Sequence, residues 1–474
     1  MKYLKFFIKA IVGLVIALGI TVLITFWLDS NQTDYLDLNP SDLDNETSVL
    51  IKNVHVIPMT KDTVLRNKSV LVKNGKIVRI DSIIPEIDVK VIDGNGKYLS
   101  PGLIDVHVHV WDKQELGLYL ANGVTAVRNA WGMPFHLRFK KQINNNELLG
   151  PLFITTTPKL TGAKNASFDQ LGIKDTKHAH ELIHKYHEDG YDLIKTYAGM
   201  PEDIFDVVIE ESEKNDMPIV AHPSFEVPYT YHFKKAIQSI EHTEDIVQNA
   251  LAYKLDSVAL QKVVNYYVEA KMAHTPTLTI YQNIIDIIEQ KDAIKTIGGG
   301  NYMNPTLVSL GSMDSYNRWT SEQFYKPETL EQIKKQHQFH LYIVKQLHQA
   351  GVQLLCGTDA GIVFNMPGYA IHEELAYYLE AGLTPYEALK TATVNPSTEI
   401  DLFHDLGTIE NGKVANLILS DKNPLEDIST LSKPNAVFVN GRYLQNHQLN
   451  QLEEKAKNRK TGLVTLFRFI ESLL

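Results

Sequence analysis

The chain has 474 residues, 44% of them apolar and 22% charged. That balance excludes a disordered or low-complexity polypeptide, and the length exceeds one core of ~100 to 200 residues while suiting a large α/β barrel with a smaller companion. A formal charge of −10 argues against nucleic acid as a partner, and one cysteine, Cys356, excludes an internal disulfide framework or a thiolate metal site, leaving eighteen histidines as alternative ligands.

Ala10 to Leu28 form a run of nineteen residues without a charge. As a helix rising ~1.5 Å per residue, such a run nearly crosses a hydrocarbon layer of ~30 Å. Lys2, Lys5 and Lys9 precede it, whereas Asp29, Asp34, Asp37, Asp42 and Asp44 follow. The positive-inside bias then puts the N-terminus in the cytoplasm and the body on the periplasmic or extracellular side. Residues 1–28 read as a membrane anchor, a transmembrane helix, and residues 29–46 as a polar linker. A cleaved signal peptide is the alternative, but its apolar region is usually ~7 to 15 residues and no A-x-A-like site follows Leu28.

Residues 47–100 alternate short apolar runs with turn signals such as Asn74-Gly75, which predicts strands joined by hairpins. From residue 101 to 401 the pattern changes to apolar runs separated by amphipathic stretches. Strand candidates are Leu103–Val110, Val124–Val127, Leu152–Thr156, Tyr191–Tyr197, Pro218–His222, Ser239–Thr243, Met272–Leu278 and Gln353–Asp359. Eight strands alternating with helices predict a (β/α)₈ TIM barrel. Residues 281–350 exceed what one barrel unit needs and fall after a strand's C-terminal end, where a lid over the active face would sit. Residues 402–446 return to a strand pattern, so the two ends of the chain should form one composite β-sandwich domain around the inserted barrel. Residues 447–474 form an amphipathic tail, in which Leu463, Leu466, Phe467, Ile470, Leu473 and Leu474 make an apolar stripe. Packing on its own barrel or on a second copy, as in a homo-oligomer, accounts for that stripe, as does contact with a membrane surface.

The chemistry sits at the strand ends. His107 and His109 lie two apart at the end of the first barrel strand, on one face. Lys195 ends the fourth, His222 the fifth, His242 the sixth and Asp359 the eighth. The C-terminal ends of barrel strands converge on one opening, so these side chains can meet around metal.

The segment Pro101-Gly102-Leu103-Ile104-Asp105-Val106-His107-Val108-His109 resembles the opening signature of the metal-dependent amidohydrolase superfamily. In the same order, Gly190 to Lys195, Ile240-Glu241-His242, Gly357-Thr358-Asp359-Ala360 and Leu406 to Leu417 are similar to its later strands and its return to the β domain. A lysine at the fourth strand resembles the branch with a carboxylated lysine, which includes Xaa-Pro dipeptidases and imidazolonepropionase-like proteins. The resemblance implies two divalent cations, zinc foremost: His107, His109 and Asp359 on one, His222 and His242 on the other, and a carbamate formed from Lys195 and CO₂ between them. An ammonium would be repelled by two dications, whereas a carbamate offers two anionic oxygens. It further implies that a metal-bridging hydroxide attacks an amide C–N bond, with Asp359 as ligand and proton shuttle.

For substrate, a small peptide or a cyclic amide, the binding candidates are Tyr231, Arg128 and Tyr197, with Arg128 suited to a free carboxylate. His274 and His232 stand near the predicted site as further polar groups, whereas His180, His184 and His187 read as a solvated helix face and His55 and Cys356 as structural. A non-catalytic binding protein on the same scaffold, and a hydrolase of esters or organophosphates, are the competing functions.

Overall fold

The computed structural model describes residues 2–38, 48–297, 300–457 and 459–472. The N-terminal part supplies β1 (Val49–Val56), β2 (Leu65–Lys73), β3 (Lys76–Asp81) and β4 (Lys90–Pro101). Asn74 and Gly75 turn β2 into β3 with φ of 50° and 71°, the left-handed pair that a two-residue hairpin requires. The C-terminal part adds β13 (Leu417–Ser420), β14 (Ala436–Val439) and β15 (Arg442–Gln445), and the seven strands form one sheet in the order β15-β14-β13-β4-β1-β2-β3. The two ends meet where β13 runs antiparallel to β4, with Leu417 opposite Pro101. Ile51, Val54, Val56, Val70 and Val72 share a core with Ile77, Leu99, Leu417, Leu419 and Phe438, so the sheet folds over its own inner face. Each such buried aliphatic side chain contributes roughly 1.5 to 3 kcal/mol.

Between the two parts lies the barrel. Its wall comprises β5 (Leu103–Val108), β6 (Val124–Asn129), β7 (Leu152–Gly162), β9 (Leu193–Thr196), β10 (Ile219–Ala221), β11 (Ile237–Glu241) and β12 (Ala273–Thr275), each parallel to its neighbour. The eighth stave is the extended segment Gln353–Asp359. It accepts from His274 N through Gln353 O (3.0 Å) on one side and from Val106 N through Cys356 O (2.9 Å) on the other, which closes the ring. The third stave is longer than its apolar run suggests. Past Pro158 the chain resumes pairing after a register shift between Thr156 and Lys159, and β8 (Leu171–Ile173) adds to its far end. A proline lacks the donor for a ladder and is accommodated at such an irregularity.

Two parts of the sequence reading need correction. The acidic stretch after the apolar run is not a free linker at its start: the N-terminal helix continues to Thr33, Leu36 is fully buried, and Asp37 bridges to Leu148. Leu36 belongs to the same buried core as Tyr119 and Leu120. Residues 39–46 of that stretch lie outside the described residues. In the tail, Leu463, Leu466 and Ile470 of the apolar stripe are exposed and Leu473 and Leu474 lie outside the described residues, whereas Val464, Thr465 and Arg468 on the other face are buried. Arg459, preceding the last helix (Gly462–Glu471), is buried between Asp112 and Glu115 at 2.9 Å from each. The N-terminal helix is long and apolar enough to cross a membrane, and the apolar window is not buried.

Candidate metal centre

His107 lies in β5 and His109 one residue past its end, and both imidazoles face the same opening. The Gln353–Asp359 segment lies close against them because Gly357 has no side chain: a Cβ there would stand 2.7 Å from His107 Cβ. Asp359 N then donates to His107 O at 2.6 Å, and the Asp359 carboxylate reaches His109 Nε2 at 2.6 Å and His107 Nε2 at 3.4 Å. Lys195 is the penultimate residue of β9 and is wholly buried. His222 follows β10, and its ring lies 4.6 Å from that of His242, which in turn lies 4.8 Å from that of His107. His242 and Asp359 have φ of 68° and 60°, a left-handed backbone that is costly for residues with a Cβ and recurs at functional sites.

All six residues singled out as ligands therefore line one cavity of about 300 Å³. Ligand atoms of His107, His242 and Asp359 lie within 4.8 Å of one another, a grouping that crosses the division of ligands expected from the sequence. Their protonation suits a cation. Burial, reinforced by Lys195, lowers His107 to about 4, and burial holds His222 and His242 well below the ordinary imidazole value, so their lone pairs are free at neutral pH. Asp359 would be pushed up by burial, but the imidazoles of His107 and His109 outweigh this and hold it well below the usual carboxylate range. Burial lowers the Lys195 amine to about 8.

A second layer fixes the rings. Glu241 Oε2 meets His107 Nδ1 at 2.5 Å, which leaves Nε2 for the cavity, and Thr277 Oγ1 meets His242 Nδ1 at 2.9 Å. Glu241 itself is tied to Arg128 Nη2 at 3.0 Å and to Thr275 Oγ1 at 3.1 Å. Buried atoms left without a hydrogen-bond partner include Lys195 Nζ, His109 Nδ1 and His222 Nδ1. Orphaned donors and acceptors of this kind are costly unless something satisfies them. Four neutral imidazoles, an ionised carboxylate and a buried amine without a partner together fit a site for divalent cations.

The substrate-binding candidates fare differently. Tyr197 lines the cavity, with its ring 4.3 Å from that of His222. Arg128 does not reach it: the side chain is fully buried beneath the site, donating through Nε to Val106 O at 2.6 Å and pairing with Glu241. A charge in that position must be paired inside the protein and is not free for substrate. Tyr231 lies on a turn (Tyr229–His232) outside the cavity, its hydroxyl donating to Asp206. His232 accepts from Ser224 N at 2.9 Å, and His274 is held between Thr243 and Tyr267. His180 and His184 pair with Glu211 and Glu188 on the outer helix.

The sequence reading missed Lys159, which lines the cavity 3.9 Å from the face of Trp131 and is paired with Asp169, and Glu244, which burial and Asp359 push up to about 7. Lys159 stands beyond Pro158, where the strand pattern appeared to end; Glu244 is two residues after His242, a spacing that could have drawn notice. The rest of the lining comes from Trp111 and Trp131, from Phe168 and Asp169, from Ile280 and Ile362, from Thr306, Leu307, Leu310 and Gly311 of the insertion, and from Thr465, Leu466 and Phe469 of the last helix. A larger groove of about 740 Å³ near Gly75 and Gly441 is lined, among the described residues, by no histidine or carboxylate.

The amidohydrolase family pattern matches residues 98–444. Over 407 residues, 78% of this chain and 87% of the relative, the sequence is 21% identical to an imidazolonepropionase of Streptococcus gordonii. A dihydroorotase of Carboxydothermus hydrogenoformans is 50% identical over 64 residues, a match that spans only 15% of that protein. Among solved structures, the bottromycin amidohydrolase superposes with a TM-score of 0.73 at 21% identity, covering 90% of this chain and 93% of that one. A Xaa-Pro dipeptidase with bound methionine superposes with a TM-score of 0.65 at 20% identity, covering 84% and 100%. At these identities the structural likenesses establish the fold.

Proposed function

We propose that this chain, which belongs to the amidohydrolase family, is a membrane-anchored metallohydrolase that cleaves an amide C–N bond in a small peptide-like or cyclic substrate. The observation that carries the reading is the convergence of His107, His109, Lys195, His222, His242 and Asp359 from five staves on one cavity, with Lys195 Nζ buried and unpartnered. We assign His107, His109 and Asp359 to one cation, His222 and His242 to a second, and a carboxylated Lys195 to both, with zinc the first choice for a site rich in imidazole. When bound, the cations would polarise a scissile carbonyl and make water a stronger acid, so that a nucleophile is available at neutral pH.

The chain's own residues do the rest. Glu241 and Thr277 hold the rings of His107 and His242 so that Nε2 of each points inward. Asp359 enters the reaction ionised, takes the proton released as the nucleophile attacks, and returns it to the departing nitrogen. Tyr197 and Lys159 stand where a substrate carbonyl or carboxylate would lie, and Trp111 and Trp131 exclude water from that wall. Thr306 to Gly311 cover part of the opening, which gives the insertion the place of a lid. The exposed apolar helix supports an anchor, and the lysines before it support an extracytoplasmic body.

The test is to strip metal from the full-length protein, reconstitute with zinc and bicarbonate, and assay panels of dipeptides and cyclic amides. Metal-dependent release of amine or ring opening is expected. Failure on every amide, with turnover of esters or organophosphates or with ligand binding alone, would replace this reading with one of its competitors.

A further inference from the structure

We propose that the cavity opens at the membrane surface and takes amides carrying a hydrocarbon chain, delivered from the bilayer. The proposal rests on the hydrolase and anchor readings above and names the substrate class of that same site.

The argument begins at the end of the apolar helix. Trp27 is well exposed there, as suits an aromatic ring at the boundary between hydrocarbon and water. Two residues on, about 3 Å along the axis, Asp29 is buried against Arg468 of the last helix, Oδ2 to Nη2 at 2.8 Å. Arg468 also lies 5.3 Å from the Phe135 ring, and Arg138 holds Glu471 through two bonds of 2.7 Å. The last helix is thus fastened beside the anchor at headgroup depth.

That same helix is one wall of the cavity, through Thr465, Leu466 and Phe469. A helix is about 10 Å across, so no more than that separates anchor from cavity. The rim is apolar and open: Leu466 is 44% exposed, Leu310 of the insertion 62% and Phe168 76%, with the Phe168 and Phe469 rings 6.4 Å apart. Leu463 and Ile470 extend the exposed apolar surface along the helix. Water-facing clusters of large apolar side chains at a binding site mark a contact with something apolar. At about 300 Å³ the cavity is at the small end for ligand pockets. It holds a polar amide head and the first methylenes, and the rest of a chain would cross Leu466 and Leu310 into the bilayer.

The experiment uses the full-length, zinc-loaded protein in nanodiscs of phosphatidylethanolamine and phosphatidylglycerol, with 4-nitroanilides of acetic, hexanoic and dodecanoic acids. Full burial of a methylene is worth about fourfold in kcat/KM, so hexanoyl, with four more methylenes, should exceed acetyl by about 200-fold. Leu466→Glu and, independently, Leu310→Glu should each lower the hexanoyl-to-acetyl ratio about tenfold. A dodecanoyl anilide with a terminal diazirine should, on irradiation, label residues 305–311 and 462–471. Equal turnover across the series, or label confined to residues 10–28 or to a contact between two copies, would overturn the proposal. Label at the rim with no turnover of any member would uphold the chain site and remove the hydrolase reading instead.

Discussion

Replacing Lys195 with methionine tests whether the buried amine is converted into a bridging ligand. Methionine keeps an unbranched side chain of similar length, so packing in the wholly buried position is disturbed little while the nitrogen is lost. Only a neutral amine takes up CO₂. Burial lowers Lys195 from an ordinary 10.5 to about 8, which at pH 7.5 raises the neutral fraction from about 0.1% to about a quarter, some 200-fold. Between pH 6 and pH 8 the neutral fraction rises from about 1% to about half, so carbamate formation should increase with pH across that interval. Wild-type protein incubated with zinc and ¹³C-bicarbonate should give a protein-bound carbamate carbon signal that grows in that way, and Lys195→Met should give none. The variant should bind fewer than two zinc ions per chain, and turnover should drop by at least about 100-fold, the upper range for loss of a group that merely orients a ligand. A variant that binds two ions and turns over normally, or a wild-type protein that takes up no label, would refute the reasoning.

Asp359→Asn should lower kcat by about 10² to 10⁴-fold, the usual contribution of a positioned proton-transfer group, while KM changes much less; unchanged kcat would remove the shuttle. Arg128→Met strands the Glu241 carboxylate without its partner in a fully buried site, and should cost about 3 to 5 kcal/mol in a denaturant titration; a cost under about 1 kcal/mol would restore Arg128 as a candidate for substrate. Gly357→Ala places a Cβ 2.4 Å from Thr275 Cγ2 and 2.7 Å from His107 Cβ. It should therefore weaken zinc binding, measured by competition with a chelator, more than it lowers the melting temperature.

The six side chains proposed as metal ligands were legible as a group in the sequence, and they line one cavity because barrel topology converts a strand-end position into a direction. His107 and His109 at spacing two, and His222, His242 and Asp359 each closing an apolar run, needed only the closed ring to bring them together. Of the substrate candidates, Tyr197 was found by the same logic, whereas Arg128 and Tyr231 do not line the cavity. Arg128 ends a barrel strand much as His222 does, yet it points beneath the cavity, where Glu241, Val106 O and Gln238 satisfy it. The direction of a long side chain depends on partners that linear spacing does not encode. Lys159 was hidden behind Pro158, since a proline normally ends a strand pattern and here only interrupts it. The docking of Leu36 and Arg459 was equally invisible, because the core that Leu36 joins, which includes Tyr119, and the pair Asp112 and Glu115 that holds Arg459 lie about 80 to 350 positions away.

The most direct test is a crystal structure of the zinc-reconstituted protein with anomalous scattering measured at the zinc edge. The account predicts two peaks in the cavity, with imidazole nitrogens of His107, His109, His222 and His242 at about 2.0 to 2.1 Å from zinc, Asp359 on one ion and extra density on Lys195 reaching both. Zinc absent from that cavity, or one ion with Lys195 a bare amine turned away, would contradict it.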